Sequence, residues 1–403
     1  MRILVTDGNE RAALAATRAF GRRGHEVTVV SAAGRSLAGR SRFAHAERRA
    51  PSPLSDPSGF IEHVVAVAAE TRTEVLVPIG EASALGVLGA RERLAGVHVP
   101  FPSLETFRAV CDKERVLARA GELGIAVPQQ RVAASREDLA ALADAGLPYP
   151  LVAKPARSVA GATGDALQKL RVRHVPGGAT LARLVDELPA SAYPLMLQQR
   201  IVGPGTGIFV LLWDGDLRAV FAHRRLREKP PSGGVSVYAE SVSAEPDLVE
   251  RSRRLLESFG WRGVAMVEYK RDAATGVPYL MEINGRFWGS LQLAIDSGVD
   301  FPNLLLDLAT GHAPKAPPPF RTGQRLRWFW GDVDHLLMRL RGSARTLDLP
   351  PGSPGRARVL LEFLSSWRPG QRCESWQLDD PAPFLHESAE WFVSAFGSRG
   401  PGH

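Results

Sequence analysis

Two glutamates and an asparagine lie on neighbouring segments that could together bind a divalent cation. Glu268 lies within residues 264–270, and Glu282 and Asn284 lie within residues 279–286. Each segment alternates apolar and polar residues, which predicts two strands, and the short turn-rich linker between them predicts a hairpin. Two carboxylates and an amide oxygen would then face one spot, and such ligands suit Mg²⁺ carried by a nucleotide's phosphates. The alternative is a pair of exposed strands with ordinary surface acids.

Lysine is rare in this chain, which has only six, whereas arginine is spread along its whole length. Lys113 opens a predicted helix, and Lys154 lies near the end of a predicted strand over residues 149–155. A loop of small residues, 156–164, follows that strand. Backbone N–H groups of such a loop can contact phosphates, although hairpins use the same residue types.

The composition is that of a soluble globular protein with two or three lobes, since 44% of the 403 residues are hydrophobic and 23% are charged. The formal charge of +7 comes from dispersed arginines without a basic run, so we expect no nucleic-acid partner. No apolar run is long enough to span a membrane, so we expect no membrane partner. Cys111 and Cys373 are the only cysteines and lie far apart, so we expect a reducing compartment. The first residues form a predicted strand rather than a signal peptide, so we expect a cytoplasmic location.

The first hundred residues predict a βα layer. An apolar strand at 2–6, a helix at 10–23 and a strand at 26–30 form a βαβ beginning. A later strand at 74–78 is followed by Gly80 and Glu81, and doubly wound sheets bind ligands at such carboxyl ends. The first turn lacks a GxGxxG pattern, so a dinucleotide site is not indicated. The alternative is a layer that serves only as a scaffold.

The middle of the chain predicts further strands and one basic loop. The segment 194–202 reads as a strand, and 208–213 with 217–222 as a hairpin around Asp214-Gly215. Residues 223–234 read as a basic loop containing glycine and proline. A proline-rich boundary at 314–319 precedes a tail with five of the eight tryptophans: Trp328, Trp330, Trp367, Trp376 and Trp391.

The order of these parts resembles that of the ATP-grasp ligases over roughly residues 1–312. Three elements carry the likeness: the two lysines, Lys113 and Lys154 in Leu-Val-Ala-Lys-Pro, the strand 197–203, and Glu268 with the segment that starts at Glu282. That segment, Glu-Ile-Asn-Gly-Arg-Phe-Trp-Gly at 282–289, is particularly like the carboxylate–amine ligases. The resemblance implies an α/β fold, with α+β character in the grasp lobes. The implied parts are an N-terminal Rossmann-like βα domain (1–101), a first ATP-grasp region with a small nucleotide lid (102–193), a second with the metal site (194–315), and a mainly helical, Trp-rich appendage (316–403).

The resemblance also implies roles for individual residues. Glu268, Glu282 and Asn284 would bind Mg²⁺, with Mn²⁺ as an alternative, and Arg286 and Arg225 would contact a carboxylate or an acyl phosphate. The implied ATP-binding residues are Lys113 and Lys154 on the α- and β-phosphates, Ser158 and Gly161 in a loop closing over the β- and γ-phosphates, and Gln199 and Ile201, whose backbone would face the adenine.

The activity implied is an ATP-dependent ligase that joins a small-molecule carboxylate to an amine through an acyl phosphate. Two alternatives stay open: a carboxylase-type or carbamoyl-phosphate-like enzyme that activates bicarbonate, and a non-catalytic ATP-binding regulatory subunit. No covalent enzyme intermediate is required, so we interpret Cys111 as a core residue. The acceptor pocket would be lined by residues 7–9, Gly80 and Glu81, the 223–234 loop and part of the tail.

Two departures from the family pattern remain. Family members often carry an acidic residue just after the adenine-contacting strand, to bind the ribose hydroxyls, whereas residues 203–207 contain none. The tail beyond residue 319 matches nothing known to us. It would cap the acceptor pocket, build a dimer interface or form a packed helical appendage. A homodimer is an expectation from the family alone, and the sequence leaves the oligomeric state open.

Overall fold

The structure is a computed structural model that describes residues 1–143, 145–161, 166–170, 172–312, 319–350, 352–366 and 371–396. It confirms the predicted α/β fold class, with strands and helices alternating at the N-terminus and antiparallel sheets beyond it. In the described part of the chain, no helix is both long and apolar enough to cross a membrane.

The N-terminal part is a four-stranded parallel sheet flanked by helices, as the βαβ pattern predicts. Its order is β3-β2-β1-β4, and residues 3–5 of the first strand are fully buried because helices cover the sheet. Two further helices lead out of it. The elements are β1 (Arg2–Val5), α1 (Arg11–Arg22), β2 (Glu26–Ser31), β3 (Ala46–Arg49), α2 (Pro57–Glu70), β4 (Val75–Val77), α3 (Glu81–Gly89), α4 (Leu104–Cys111) and α5 (Lys113–Glu122).

The next lobe is a small antiparallel sheet of order β5-β10-β6-β9, with two helices packed on its apolar face. A separate hairpin, β7 with β8, includes part of the segment predicted as a small-residue loop, so that prediction is wrong for residues 159–161. Residues 162–164 of that segment lie outside the described residues. The elements are β5 (Gln130–Ala133), α6 (Arg136–Ala143), β6 (Leu151–Pro155), β7 (Val159–Gly161), β8 (Leu167–Lys169), β9 (Arg173–Val175), α7 (Gly178–Glu187) and β10 (Leu195–Gln199).

A seven-stranded sheet of order β15-β14-β11-β12-β13-β16-β17 forms the centre of the molecule. The basic loop predicted at 223–234 is wrong over residues 223–229, because β12 continues through them and pairs with β13. Bulges between Arg225 and Glu228 interrupt the alternation that would have indicated a strand. The elements are β11 (Gly205–Trp213), β12 (Asp216–Lys229), β13 (Val235–Ser241), α8 (Pro246–Glu257), β14 (Gly263–Arg271), β15 (Pro278–Asn284), α9 (Leu291–Ser297) and α10 (Phe301–Ala309).

The tail adds two strands to the same sheet besides its helices. β16 pairs antiparallel with β13, and β17 pairs parallel with β16, so the sheet runs across the predicted boundary at residue 315. That boundary stays a prediction. Trp367 lies outside the described residues. The elements are β16 (Arg325–Arg327), α11 (Phe329–Arg341), α12 (Arg356–Leu364), β17 (Arg372–Cys373) and α13 (Ala382–Phe396).

The central sheet is covered on both faces. One face packs with α1, α9 and α10 around Phe209, Phe287 and Trp288, and the other packs with α4, α5 and α8 around Phe107 and Trp261. Because β-strand residues alternate between faces, Val264 and Met266 lie on the first face and Ala265 and Val267 on the second. Glu268 continues the first series, where α1 and the N-terminal sheet also lie.

Residues 372–380, which we call the C-terminal strap, fasten the tail to helix α1. Arg18 is fully buried and donates to Asp380 Oδ2 at 2.8 Å. It also donates to the carbonyl oxygens of Glu374 and Ser375 at 3.0 and 2.8 Å. Ser41 Oγ donates to Asp380 Oδ2 at 2.6 Å. The strap therefore joins the N-terminal layer to the central sheet.

Candidate active site

The predicted acidic hairpin is present, and it brings the two glutamates side by side. Glu268 on β14 and Glu282 on β15 are direct cross-strand partners. Asn284 lies two residues further along the same face of β15, and its Nδ2 donates to Glu282 Oε1 at 3.1 Å. Three oxygen-bearing side chains therefore meet at one end of the hairpin.

Arg225 forms a two-pronged ion pair with Glu268. Its Nη1 and Nη2 lie 2.9 and 2.5 Å from the two carboxylate oxygens, and both side chains are nearly buried. A second carboxylate, that of Glu228, accepts from Nη1 at 2.9 Å. The planar fork of arginine matches the two oxygens of a carboxylate in this way. Arg225 lies on β12 rather than in the predicted loop.

Glycines on β11 make this ion pair possible. β11 lies between β12 and β14, so the Arg225 side chain must cross it to reach Glu268. A Cβ atom on Gly205 would lie 3.1 Å from Arg225 Cδ, and one on Gly207 would lie 2.6 Å from the Phe209 ring. The Gly-x-Gly spacing at 205–207 was a sequence signal for this crossing, and sequence reasoning missed it.

Lys113 and Lys154 approach the same carboxylates from the other side. Lys113, at the start of α5, donates from Nζ to Ser158 Oγ at 2.6 Å and lies 3.7 Å from Glu282 Oε2. Within the described residues the ammonium group of Lys154, on β6, has no hydrogen-bond or ion-pair partner. Burial lowers the pKa of Lys154, and Glu282 and Glu268 oppose that effect. A nearly enclosed cation without a partner is suited to an anionic ligand.

The two glutamates differ in their electrostatic surroundings. Burial raises the pKa of Glu268, and the adjacent Arg225 partly offsets this effect. Burial also acts on Glu282, but Lys113 and Lys154 outweigh it and hold the pKa of Glu282 below its ordinary value. Glu282 is thus the acid that faces both lysines.

Arg286 and Cys111 lie beside this group. Arg286 donates to the Phe287 carbonyl oxygen at 2.9 Å and to Asn284 Oδ1 at 3.4 Å. It has no ion pair with a described residue, so its charge is available to a ligand. Cys111 packs against the hydrophobic core, and burial raises its thiol pKa well above the ordinary value. This agrees with the interpretation of Cys111 as a core residue.

The predicted adenine contacts lie at the end of β10. The backbone N–H of Gln199, the last residue of that strand, donates to the Gln129 carbonyl at 2.8 Å, so only its carbonyl could serve a ligand. Ile201 is buried just beyond the strand, and its backbone bonds to no other backbone group in the part described. Gly203 packs so closely that a Cβ would lie 1.8 Å from the Arg271 carbonyl oxygen. Residues 203–207 therefore have a structural role and supply no acid.

The expected acceptor pocket is only partly supported. Asp7 accepts from the Gly80 N–H at 2.8 Å and from Ser83 Oγ at 2.5 Å, and Asn9 Oδ1 accepts from the Leu37 N–H at 3.1 Å. These side chains bind the backbone and side chains of their own loops, and the expectation that residues 7–9 line the acceptor pocket stays a prediction. Glu81, at the start of α3, makes no hydrogen bond to a described residue, and burial raises its pKa.

The donor set of the hairpin fits a Mg²⁺ ion, since it consists of carboxylate and amide oxygens. Among the described residues, no group of three or more His, Cys, Asp or Glu side chains is placed to hold a metal ion. Arg225 and Lys113 neutralise the two carboxylates when no cation is bound. Glu268, Glu282 and Asn284 are therefore the residues that would hold the metal.

Comparison with known proteins identifies the class of fold. The profile of a family described as "ATP-grasp in the biosynthetic pathway with Ter operon" matches residues 191–331, which include the hairpin and most of the central sheet. No curated protein sequence matches the chain. The profile match confirms the resemblance to the ATP-grasp ligases.

Solved structures of ATP-grasp enzymes share the fold over most of this chain. Biotin carboxylase from Campylobacter jejuni is 17% identical, with a TM-score of 0.63 over 80% of this chain and 74% of that one. An L-amino acid ligase from Bacillus licheniformis is 19% identical, with a TM-score of 0.61 over 80% and 78%. The biotin carboxylase domain dimer of 2-oxoglutarate carboxylase from Hydrogenobacter thermophilus, in complex with MgADP, ADP and bicarbonate, is 16% identical, with a TM-score of 0.61 over 80% and 73%. The chain therefore has the ATP-grasp fold.

Proposed function

We propose that this chain is an ATP-dependent ligase that activates a small carboxylic acid as an acyl phosphate and couples it to an amine. One observation carries the proposal. Lys113, bonded to Ser158, and Lys154, which has no partner among the described residues, converge on the paired carboxylates of Glu268 and Glu282. Two cations beside two carboxylates form a site for a phosphate chain that arrives with its own divalent metal.

The reaction has two balanced steps. A carboxylate oxygen of the substrate bonds to the γ-phosphorus of ATP, the bond to the β-phosphate oxygen breaks, and ADP leaves. The amine nitrogen then bonds to the acyl carbon, the carbon–oxygen bond to phosphate breaks, and phosphate and a proton are released. The first step replaces a poor leaving group by a good one. The protein contributes mainly position and charge.

Each residue has a defined task in this proposal. Lys113 and Lys154 hold the phosphates, and Ser158 positions the Lys113 ammonium. Gly161 lies in the lid hairpin, and the backbone at Gln199 and Ile201 faces the adenine. Glu268, Glu282 and Asn284 would hold Mg²⁺ or Mn²⁺, which would supply positive charge to the transferring phosphoryl group.

Arg286 and Arg225 are the proposed catalytic residues. Arg286 is free of acidic partners in the described chain, so its fork can bind the substrate carboxylate or the acyl phosphate. Arg225 is held by Glu268 and Glu228, and a divalent cation bound by Glu268 would compensate the charge that now holds it. Arg286 lies beside Asn284, so both arginines are next to the proposed metal ligands.

Bicarbonate is a second candidate for the activated acid. It is favoured by the carboxylases among the similar folds, one of them in a complex with bicarbonate. A non-catalytic regulatory role is the third alternative. The complete set of two lysines, two glutamates and one asparagine argues against a decayed site.

Phosphate release from ATP tests the proposal. The full chain with ATP and Mg²⁺ is assayed against a panel of amino acids and other small carboxylates, each with and without amines, and against bicarbonate alone. Turnover that requires both a carboxylate and an amine supports the ligase. Turnover with bicarbonate alone assigns a carboxylase, and tight ATP binding without turnover for any pair assigns a regulatory subunit.

A further inference from the structure

Strand β12 is irregular where it brings Arg225 to Glu268. Its ladder with β13 has the same register before and after this point, but Arg227 pairs with Tyr238, one place out of register. A register shift therefore lies on each side of Arg227. Such bulges change the direction in which nearby side chains point.

The irregularity brings the Glu228 carboxylate onto Arg225. Residues three apart on a regular strand point to opposite faces of the sheet, so they cannot meet. Here Arg225 Nη1 donates to Glu228 Oε1 at 2.9 Å, and the same nitrogen lies 2.9 Å from Glu268 Oε1. The Gly234 carbonyl oxygen accepts from it at 3.2 Å. The bulged segment thus supplies part of the support that holds the Arg225 guanidinium against Glu268.

One turn of helix α11 binds residues 227–229 of β12. His335 Nδ1 lies 2.6 Å from the Glu228 carbonyl oxygen and donates to it, because a carbonyl oxygen can only accept. Asp334 forms an ion pair with Lys229. The tail therefore holds the part of β12 that pairs irregularly with its neighbouring strand.

Asp332 is the most enclosed member of this attachment. Its carboxylate is fully buried and accepts from Arg227 Nε and Nη2 at 2.6 and 2.7 Å. It also accepts from Arg327 Nε at 2.5 Å, while Ser366 Oγ accepts from Arg227 Nη1 at 3.0 Å. A two-pronged contact between arginine and carboxylate fixes direction as well as distance. The Arg227 side chain therefore cannot move without breaking several bonds.

We propose that Asp332 and His335 are positioning residues, which set Arg225 against Glu268 by holding the bulged segment of β12 and, with it, Glu228. The inference rests on the proposed function, in which Arg225 contacts the substrate and Glu268 binds the metal. It gives the tail a role in the active site that does not require the tail to line a pocket.

A pair of substitutions at His335 tests this role. His335→Leu removes the donor to the Glu228 carbonyl, whereas His335→Asn keeps an N–H group near the position of Nδ1. We expect kcat for phosphate release to fall about 10-fold in His335→Leu, because a small misplacement of a catalytic group is costly. The KM for ATP should stay within about 2-fold of the wild-type value, and His335→Asn should restore kcat. Asp332→Asn, which conserves volume, should give the same split between kcat and KM.

A double substitution connects the effect to Arg225. Arg225→Met should lower kcat by itself, and adding His335→Leu should lower it no further, since both changes act through one guanidinium. Additive losses would overturn the positioning role. A wild-type kcat in His335→Leu, or a loss that His335→Asn does not restore, would overturn it as well.

Ser388→Ala is the control for general loosening of the tail. Ser388 Oγ accepts from Trp330 Nε1 at 2.9 Å and joins α13 to α11, outside residues 332–335. Its loss should leave kcat unchanged. A fall in kcat as large as that of His335→Leu would mean that the tail acts only through overall stability, which contradicts the proposal.

Crystal structures of the His335 variants provide a readout that does not depend on turnover. In His335→Leu the Arg225 guanidinium should leave its place beside Glu268, and in His335→Asn it should keep it. An unmoved Arg225 in His335→Leu would overturn the inference. A wild-type chain without turnover for any carboxylate would instead contradict the proposed function, and the two structures would still decide whether α11 positions Arg225.

Discussion

The candidate active site around Glu268 and Glu282 and the C-terminal strap both pair arginine with carboxylate, yet they differ in which polar atoms have no partner. In the strap, Asp380 accepts from Arg18, from Ser41 and from the Arg42 N–H, so both of its oxygens are used. In the active site, Arg225 keeps a buried Nε without a partner, and Lys154 has no bond to any described residue. In the strap, Glu374 Oε1 is likewise buried without a partner among the described residues, so the bonding is complete at Asp380 but not throughout the strap.

This difference separates a structural ion pair from a binding site. Buried polar groups in folded proteins are nearly always hydrogen-bonded, because an unmade bond costs about 1–3 kcal/mol. Where the bonding is complete, as at Asp380, the arrangement specifies the fold. Where a cation such as Lys154 has no partner beside paired carboxylates, the arrangement fits the phosphate ligand that we propose.

Of the substitutions in the candidate active site, that of Glu282 should reduce the reaction rate most. Glu282→Gln removes a proposed metal ligand without removing volume, so phosphate release should fall by about 10³-fold, while the melting temperature changes by no more than about 3 °C. Glu250→Gln, an exposed acid on α8, is the control. A near-normal rate in Glu282→Gln would refute the metal assignment.

Substituting Asp380 should give the opposite result. Asp380→Ala leaves the buried Arg18 charge without its carboxylate and should lower the free energy of unfolding by about 3–5 kcal/mol in urea titrations. Asp379→Ala, next to it but 51% exposed in its ion pair with Arg22, should cost less than about 1 kcal/mol. If both variants unfold at the same urea concentration, the buried ion pair between Arg18 and Asp380 does not stabilise the fold.

Lys154→Met should weaken nucleotide binding and leave or improve stability. Loss of an enclosed cation should raise the dissociation constant for ATP by about 10- to 100-fold in calorimetric titrations, whereas the unfolding free energy should stay equal or rise by up to about 1 kcal/mol. Arg131→Ala, an exposed cation on β5 of the same sheet, should change neither. An unchanged ATP affinity in Lys154→Met would remove the phosphate role.

The smallest effect is on the pH dependence of stability. Burial lowers the pKa of His223, which donates or accepts at Ser290 Oγ, to about 3. The unfolded chain binds a proton below pH 6.5 and the folded chain does not until about pH 3, so stability is lost as the pH falls through this window.

His223→Gln should therefore make the loss less steep, by up to about 1.4 kcal/mol per pH unit. Urea unfolding at pH 7.5 and pH 5 measures the slope. His63→Gln, on the exposed side of α2, is the control and should retain the wild-type slope. An unchanged slope in His223→Gln would mean that this histidine is not kept neutral by burial.

Local patterns in the sequence were sufficient to predict the hairpin that carries Glu268 and Glu282. Alternation placed Glu268 and Glu282 on strands, and the short linker made those strands neighbours. Arg225 was misplaced because the Pro-Pro-Ser-Gly-Gly run at 230–234 resembles a loop that begins earlier. Pairing of β12 with β13, a contact between different segments, extends the strand instead.

The strap could not be predicted from the sequence. Arg18 and Asp380 are 362 positions apart, and no periodicity links them.

The hydrogen bonds between Arg18 and residues 374–380 have a consequence for protein synthesis. During translation, helix α1 leaves the ribosome long before the strap is made. The guanidinium of Arg18, which is fully buried in the folded protein, must stay hydrated until then. Helix α1 can therefore reach its final packing only as the last elements emerge. Nascent chains of increasing length should show late protection of α1 from proteases, although it is among the first segments made.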